Sequence, residues 1–321
     1  MPVVNSPKLI PPLLQFNGQM QTLVPGIFRN PGLPPYQRER LTLSDGDFVD
    51  LDWVKADSDK LIILSHGLEG NSFRHYITGA ANFFAAQGWN VLAWNCRSCS
   101  GEINKMPKLY HHGEIKDIGE VIDHAIKKEN FEQIWLMGFS MGGNISLNYL
   151  SKTGNEIPEE IKGAVVCSSP LNMEHSVKQL ETRAGRIYKK RFFKMLGEKL
   201  KAKAEQFPDW IDLSKLEEVK EWQDFDRFFS GPMNGFEDEF DFYRNTSPVY
   251  SLEKLKHPVL VVNALNDPIL AKDCYPKEMA YGLDLFHLMT PLQGGHVGFS
   301  QRRKRTSWFE ETALDFIRTF V

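Results

Sequence analysis

Ile134-Trp135-Leu136-Met137-Gly138-Phe139-Ser140-Met141-Gly142-Gly143 is the stretch whose reading decides the architecture. An unbroken apolar run enters a G-x-S-x-G pentapeptide, and the following stretch from Ile145 to Leu150 has helical character. A strand, a tight turn bearing a serine and a helix in immediate succession put the hydroxyl on a strained corner at the strand's end. The glycines have a steric reason: a β-carbon at either flanking position would collide with the neighbouring strand or helix. Gly143 adds room for close approach. The pentapeptide alone recurs by chance in many proteins, so the strand before it and the helix after it are what single out Ser140 as a nucleophile.

Outward from this point, apolar runs alternate with amphipathic stretches. Leu61–Leu64, Asn90–Trp94, Ala164–Cys167 and Val259–Val262 are strand-like. Tyr76, Ala80, Phe83 and Phe84, and again Ile115, Ile118, Ile122, Ala125 and Ile126, recur at helical spacing. Strands that read as continuous apolar runs are buried on both faces, which implies a parallel sheet covered by helices. The expectation is an α/β chain with a mostly parallel, doubly wound sheet of about eight strands. Arg40–Leu43 and Phe48–Trp53 alternate apolar with polar residues across Ser44-Asp45-Gly46-Asp47, a hairpin signal in which Asp-Gly supplies positive φ. Ser307 and Glu310 form a capping-box pattern ahead of a last helix with Phe309, Ala313, Phe316, Ile317 and Phe320 as its apolar stripe.

Two segments break the rhythm. Residues 1–36 are rich in Pro and Gly without periodicity and are read as an irregular arm packed on the core. Residues 170–247 are helix-like, strongly charged and dense in aromatics, with no convincing strand. Because the β/α alternation resumes at Val259, they form an insertion, a helical lid, in a core made of residues 37–169 and 248–321.

The whole chain has 321 residues, 42% of them apolar and 25% charged, with a formal net charge of −3. That balance is ordinary for a soluble globular protein and offers no overall pull toward nucleic acid. The four cysteines are too few for a disulfide scaffold. The prolines of MPVVNSPKLIPPLLQFNG interrupt its few apolar residues, so no secretory leader is read there, and the expectation is a cytoplasmic protein.

A serine hydroxyl needs a base to take its proton and an acid to orient that base. After a nucleophile on such a turn the chain order is Ser, acid, His. Downstream of Ser140 lie four histidines, His175, His257, His287 and His296. His175 falls in the insertion, His257 precedes a strand and His287 sits inside an apolar run. His296, in Gly294-Gly295-His296-Val297-Gly298, lies in a flexible loop between a strand and the last helix, where a base should hang over the sheet edge. Asp267, just past the strand Val259–Val262, is the preferred acid, with Asp273 its competitor. The oxyanion needs preorganised N–H donors; these are read as the amides of Met141 and, in Ser65-His66-Gly67-Leu68-Glu69-Gly70, of Leu68. His66 is read as a brace for that loop rather than a base.

These residues carry a family likeness. The chain resembles the YheT-like branch of the α/β-hydrolases, which also takes in the lipid-acting ABHD1 and ABHD3 types. The likeness rests on Asn17-Gly18-Gln19-Met20-Gln21-Thr22, Arg38-Glu39-Arg40 through Asp52-Trp53, His66–Gly70, Arg97-Ser98-Cys99-Ser100-Gly101-Glu102, Tyr110-His111-His112-Gly113-Glu114, Gly138–Asn144, Asn266-Asp267-Pro268 and Gly295-His296-Val297-Gly298. Ser98 stands where the family pattern has Gly. The resemblance implies the α/β-hydrolase fold, no cofactor, and hydrolysis of carboxylic esters with medium or long acyl chains, or acyl transfer to an alcohol. A non-catalytic binding protein on the same scaffold is the reading from another class, and its usual mark, a lost triad member, is missing here.

Other signals are read as structural. Cys96-x-x-Cys99 lacks the further ligands of a zinc site, since Cys167 and Cys274 are isolated, and it does not open a helix as a redox pair should. His111, His112 and Glu114 are taken as loop packing, so no metal site is expected. The basic amphipathic stretch Lys189–Leu196 is taken as the solvated face of a lid helix, with contact to an anionic lipid surface as the alternative. Arg302–Arg305 is likewise a solvated start to the last helix, and some of the lid's aromatics are candidates for an acyl channel. The expected partner is a small-molecule acyl ester; oligomeric state is not readable.

Overall fold

A computed structural model describes residues 3–320. Its strands are β1 (Gln37–Thr42), β2 (Phe48–Val54), β3 (Lys60–Ser65), β4 (Asn90–Asn95), β5 (Gln133–Phe139), β6 (Ile161–Cys167), β7 (Val259–Val262) and β8 (Phe286–Met289). They form one sheet of eight strands in the order β1-β2-β4-β3-β5-β6-β7-β8. Only the β1–β2 and β2–β4 pairs are antiparallel. This is the mostly parallel sheet that the apolar runs imply.

The helices are α1 (Gly18–Phe28), α2 (His75–Ala86), α3 (Ile115–Lys128), α4 (Met141–Lys152), α5 (Met173–Glu181), α6 (Arg186–Gln206), α7 (Lys215–Glu218), α8 (Trp222–Phe225), α9 (Glu239–Thr246), α10 (Lys277–Gly282) and α11 (Trp308–Arg318). Side chains of a strand alternate between faces, so the sheet builds two cores. Leu61, Ile63, Leu136 and Val166 pack with α3 and α4 on one face. Ile62, Leu64, Met137 and Val165 pack with α2 and α11 on the other. The capping box of Ser307 and Glu310 opens α11.

Two expectations change, and one strand is unusual in its burial. Although apolar and polar residues alternate in β2, every residue from Phe48 to Val54 is buried. Its carboxylates lie opposite β1 guanidiniums in register, Arg38 with Asp52 and Arg40 with Asp50, each pair joined by two hydrogen bonds of 2.7–3.0 Å. Paired charges can be buried where lone ones cannot. In the hairpin turn Gly46 is at positive φ (+81°) and Asp45 is not. The arm is not irregular throughout, because α1 occupies its middle. Asn17 caps that helix by accepting from the Met20 N–H at 2.9 Å. Pro25 and Gly26 inside α1 disguise it, since both are poor helix formers.

Between β6 and β7 the chain runs through α5–α9, with no strand among the described residues. These helices have a cluster of their own that includes Val177, Leu196, Leu200, Trp222, Phe225, Phe229 and Phe242. The apolar side of α6 is turned inward, Phe193 stacking on Trp222 at 5.3 Å and on Phe225 at 5.8 Å. No described helix is long and apolar enough to cross a membrane.

Candidate active site

In the order β4-β3-β5-β6 the chain leaves β3 toward β4 and β5 toward β6, in opposite directions, so the crevice beyond the ends of β3 and β5 is the expected place for a ligand. Ser140 stands there, between β5 and α4, at φ 54° and ψ −119°. Crowding enforces this turn. A β-carbon on Gly138 would lie 2.4 Å from the Gly142 carbonyl oxygen, and one on Gly142 would lie 2.2 Å from that of Ser65.

Three separate loops deliver the remaining groups. His296 Nε2 lies 2.9 Å from Ser140 Oγ, and His296 Nδ1 lies 2.9 Å from Asp267 Oδ2. With Nδ1 as the donor to the carboxylate, Nε2 is free to accept from the serine hydroxyl. Asp267 Oδ1 also accepts from the Ile269 and Leu270 amides at 2.9 and 3.3 Å. The carboxylate is thereby fixed by the backbone of its own loop. Asp273, the competing acid, pairs instead with His175 at 2.7 Å on the exposed surface. His287 is half-buried against Phe316 and Phe320.

The loop after β3 supplies Leu68. Its amide and that of Met141, the first residue of α4, have no acceptor among the described residues. The loop abuts the serine closely: a β-carbon on Gly67 would sit 3.2 Å from that of Ser140. His66 is fully buried, its Nδ1–H donating to the Gly67 carbonyl at 2.8 Å and its Nε2 accepting from the Cys96 amide at 3.0 Å. Burial pushes its pKa down to about 4, so it stays neutral and ties the loop to the chain after β4. Glu69, Ser140 and Val297, one in each of three converging loops, are held at φ 54°, 54° and 51°. Backbone held in this region is costly and persists where the surroundings over-determine it.

Two compartments meet at Ser140, sharing Leu68, Phe192, Ile269 and His296 as walls. The wider, of about 920 Å³ with its open mouth, is lined by Thr22, Ile27, Arg74, Tyr188, Arg191 and Met195. The narrower, of about 420 Å³ with the space open to solvent included, is lined largely by Pro170, Met173, Val177, Leu180 and Trp222. Helices α5, α6 and α8 thus contribute walls to the compartments at the serine. His112, read from the sequence as loop packing, also lines the narrower compartment, and burial pushes its pKa down to about 3. Cys96, Cys99, Cys167 and Cys274 are buried and unbonded, and no group of metal-ligating side chains occurs among the described residues. Ser98 is at φ 59°, a conformation that suits the glycine of the family pattern.

One contribution escapes a reading of the sequence. The His296 amide donates to Thr22 Oγ1 at 2.9 Å, and Thr22 belongs to the arm. Only the Asn17–Thr22 family motif pointed there, and it carried no role.

Comparison with known proteins agrees with the fold. The family model for the alpha/beta hydrolase fold matches residues 60–281. YheT of Escherichia coli (strain K12), provisionally named an esterase, is 30% identical over 95% of this chain and 91% of its own. Phospholipase ABHD3 of Bos taurus is 25% identical over 94% of this chain and 76% of its own. Among solved structures, the Pyrococcus furiosus esterase Pf2001 superposes with a TM-score of 0.58 at 17% identity, covering 89% of this chain and 92% of that one. At that identity the last likeness speaks for the fold alone.

Proposed function

The chain belongs to the α/β-hydrolase family, and from that premise we propose that it is a serine hydrolase of carboxylic esters, working through an acyl-enzyme on Ser140. The observation that carries this reading is the unbroken hydrogen-bonded chain Ser140 Oγ–His296–Asp267, with both links at 2.9 Å. Ser140 Oγ attacks the ester carbonyl carbon as its proton passes to His296 Nε2. Asp267 holds the imidazole by Nδ1 and stabilises the imidazolium that forms. The carbonyl oxygen becomes an oxyanion facing the unbonded amides of Leu68 and Met141. Collapse breaks the ester C–O bond, and the leaving alcohol takes the proton from His296. Water then attacks the acyl-enzyme by the same steps in reverse and releases the acid.

The two compartments divide the substrate. The apolar one suits a medium or long acyl chain, since each buried methylene contributes about 0.8 kcal/mol. The wider one takes the alcohol portion. On this reading the helices of α5–α9 act as the lid that keeps bulk water from the acyl-enzyme.

Labelling with a fluorophosphonate and a panel of p-nitrophenyl esters of rising chain length test the proposal together. The parent chain should label, and Ser140→Ala should lose labelling and at least about a thousandfold in kcat while remaining folded. Unlabelled parent protein, or equal labelling of Ser140→Ala, would overturn the mechanism. A strict preference for acetate would overturn the acyl compartment.

A further inference from the structure

The arm does more than cover the core. Gln21, on α1, is buried, with 2% of its surface exposed. Its Oε1 accepts from the Gly294 amide at 2.7 Å, in the loop that carries His296. The same oxygen accepts from Asn266 Nδ2 at 2.9 Å, beside Asp267. Its Nε2 donates to the Gln15 carbonyl at 2.8 Å and to Gln293 Oε1 at 2.9 Å. A glutamine amide has two donors and two acceptor sites, and all of them are used. Asn266 closes the ring by accepting from the Gly295 amide through Oδ1 at 3.0 Å.

Close backbone approach supports this bridge. A β-carbon on Gly18 would lie 1.8 Å from the Asn266 carbonyl oxygen, and one on Gly298 would lie 1.9 Å from that of Gln21. A β-carbon on Gly295 would meet Gln21 backbone at 2.8 Å. Helix α1 and the two loops thus touch through positions that have no side chain. Gln21 itself does not line either compartment at Ser140.

We propose that Gln21 is a positioning residue that locks the acid loop to the base loop and so sets the Asp267–His296 geometry from a distant part of the chain. This rests on the reading of Ser140, His296 and Asp267 as the reacting set. Misplacing a catalytic group by a fraction of an ångström slows the chemical step while substrate binding is spared.

Steady-state kinetics and thermal unfolding of full-length variants test the proposal. Gln21→Met removes all four bonds at similar volume. It is expected to lower kcat at least tenfold and to leave KM within threefold. Gln21→Glu keeps the oxygen that accepts from Gly294 and Asn266 but turns a second, charged oxygen toward the Gln15 and Gln293 oxygens, so it too should lower kcat at least tenfold with KM within threefold. Arg29→Met serves as the control. It cuts the 2.6 Å pair of α1 with Glu310, so it should lower the unfolding temperature and leave kcat within twofold. Asn266→Ala cuts the bridge from the loop side, and combined with Gln21→Met it should cost no more than the worse single change.

A folded Gln21→Met variant with parental kcat would overturn the proposal. So would additive losses in the double variant, or equal losses from Gln21→Met and Arg29→Met. If Gln21→Met does not fold, Gln21→Glu against Asn266→Ala makes the same comparison. Failure of the parent chain to label with a fluorophosphonate would be a failure of the underlying mechanism instead.

Discussion

Gly142 and Gly143 are neighbours in the turn after Ser140, yet a methyl group meets different obstacles at the two. At Gly142 it would lie 2.2 Å from the Ser65 carbonyl oxygen, which is fixed in β3. At Gly143 the nearest atom, at 2.4 Å, is Ser169 Oγ, the end of a side chain that can rotate away. Gly142→Ala is therefore expected to be destabilising by several kcal/mol and to abolish fluorophosphonate labelling. Gly143→Ala should cost about 1–2 kcal/mol and keep measurable labelling. Thermal unfolding and the labelling rate check the order, and equal effects would count against the steric account. This residue-scale logic was legible in the sequence, because G-x-S-x-G followed a strand and preceded a helix. The partners of each glycine were not, since β3 and β6 reach this turn from far along the chain.

Among the elements, the segment that joins α8 to α9 carries a buried acid outside the site. Asp226 is 2% exposed and accepts from the Tyr243 hydroxyl at 2.9 Å. Burial pushes its pKa up to about 7 from an ordinary carboxylate value near 4. Between those values the folded chain holds a proton that the unfolded chain has released. Stability from this group is thus fully present below about pH 4 and is lost as pH rises through about 7. Asp226→Asn should remove that dependence. It is expected to raise the unfolding temperature at pH 8, by the equivalent of at most about 4 kcal/mol, and to change little at pH 4. The opposite order would show that the carboxylate is ionised and paired in the fold. Element types here followed from periodicity, but helix α1 was masked by its Gly and Pro residues, and the burial of the β2 aspartates depends on guanidiniums of the strand opposite.

At the scale of the whole molecule, the insertion is bolted to the loop that presents the Leu68 amide. Lys199, on α6, donates to Glu69 Oε1 at 2.6 Å, and both side chains are almost fully buried. Tyr110 donates to the same carboxylate and accepts the Glu69 amide at 2.9 Å. Removing one partner of a buried pair leaves the other charge uncompensated, at about 3–5 kcal/mol. Lys199→Met is therefore expected to destabilise the protein by that order and to lower kcat/KM at least tenfold. Adding Glu69→Gln should restore part of the stability, because the orphaned charge goes with it. Additive losses in the double variant, read by thermal unfolding, would show that the pair is not coupled.

Residue types, their order and the alternation of strands and helices are local properties, so the sequence by itself determined the α/β class, the serine on its turn and the order in which Ser140, Asp267 and His296 follow one another. Which acid faces which histidine was not local. Asp267 and Asp273 lie in the same connection, and only folding puts one on His296 and the other on the surface with His175. The tertiary structure also decided that Gln21, far from either loop in the chain, closes both with one amide, and that Lys199 reaches the loop after β3. Hydrogen bonds between distant segments depend on packing and register that local periodicity does not encode.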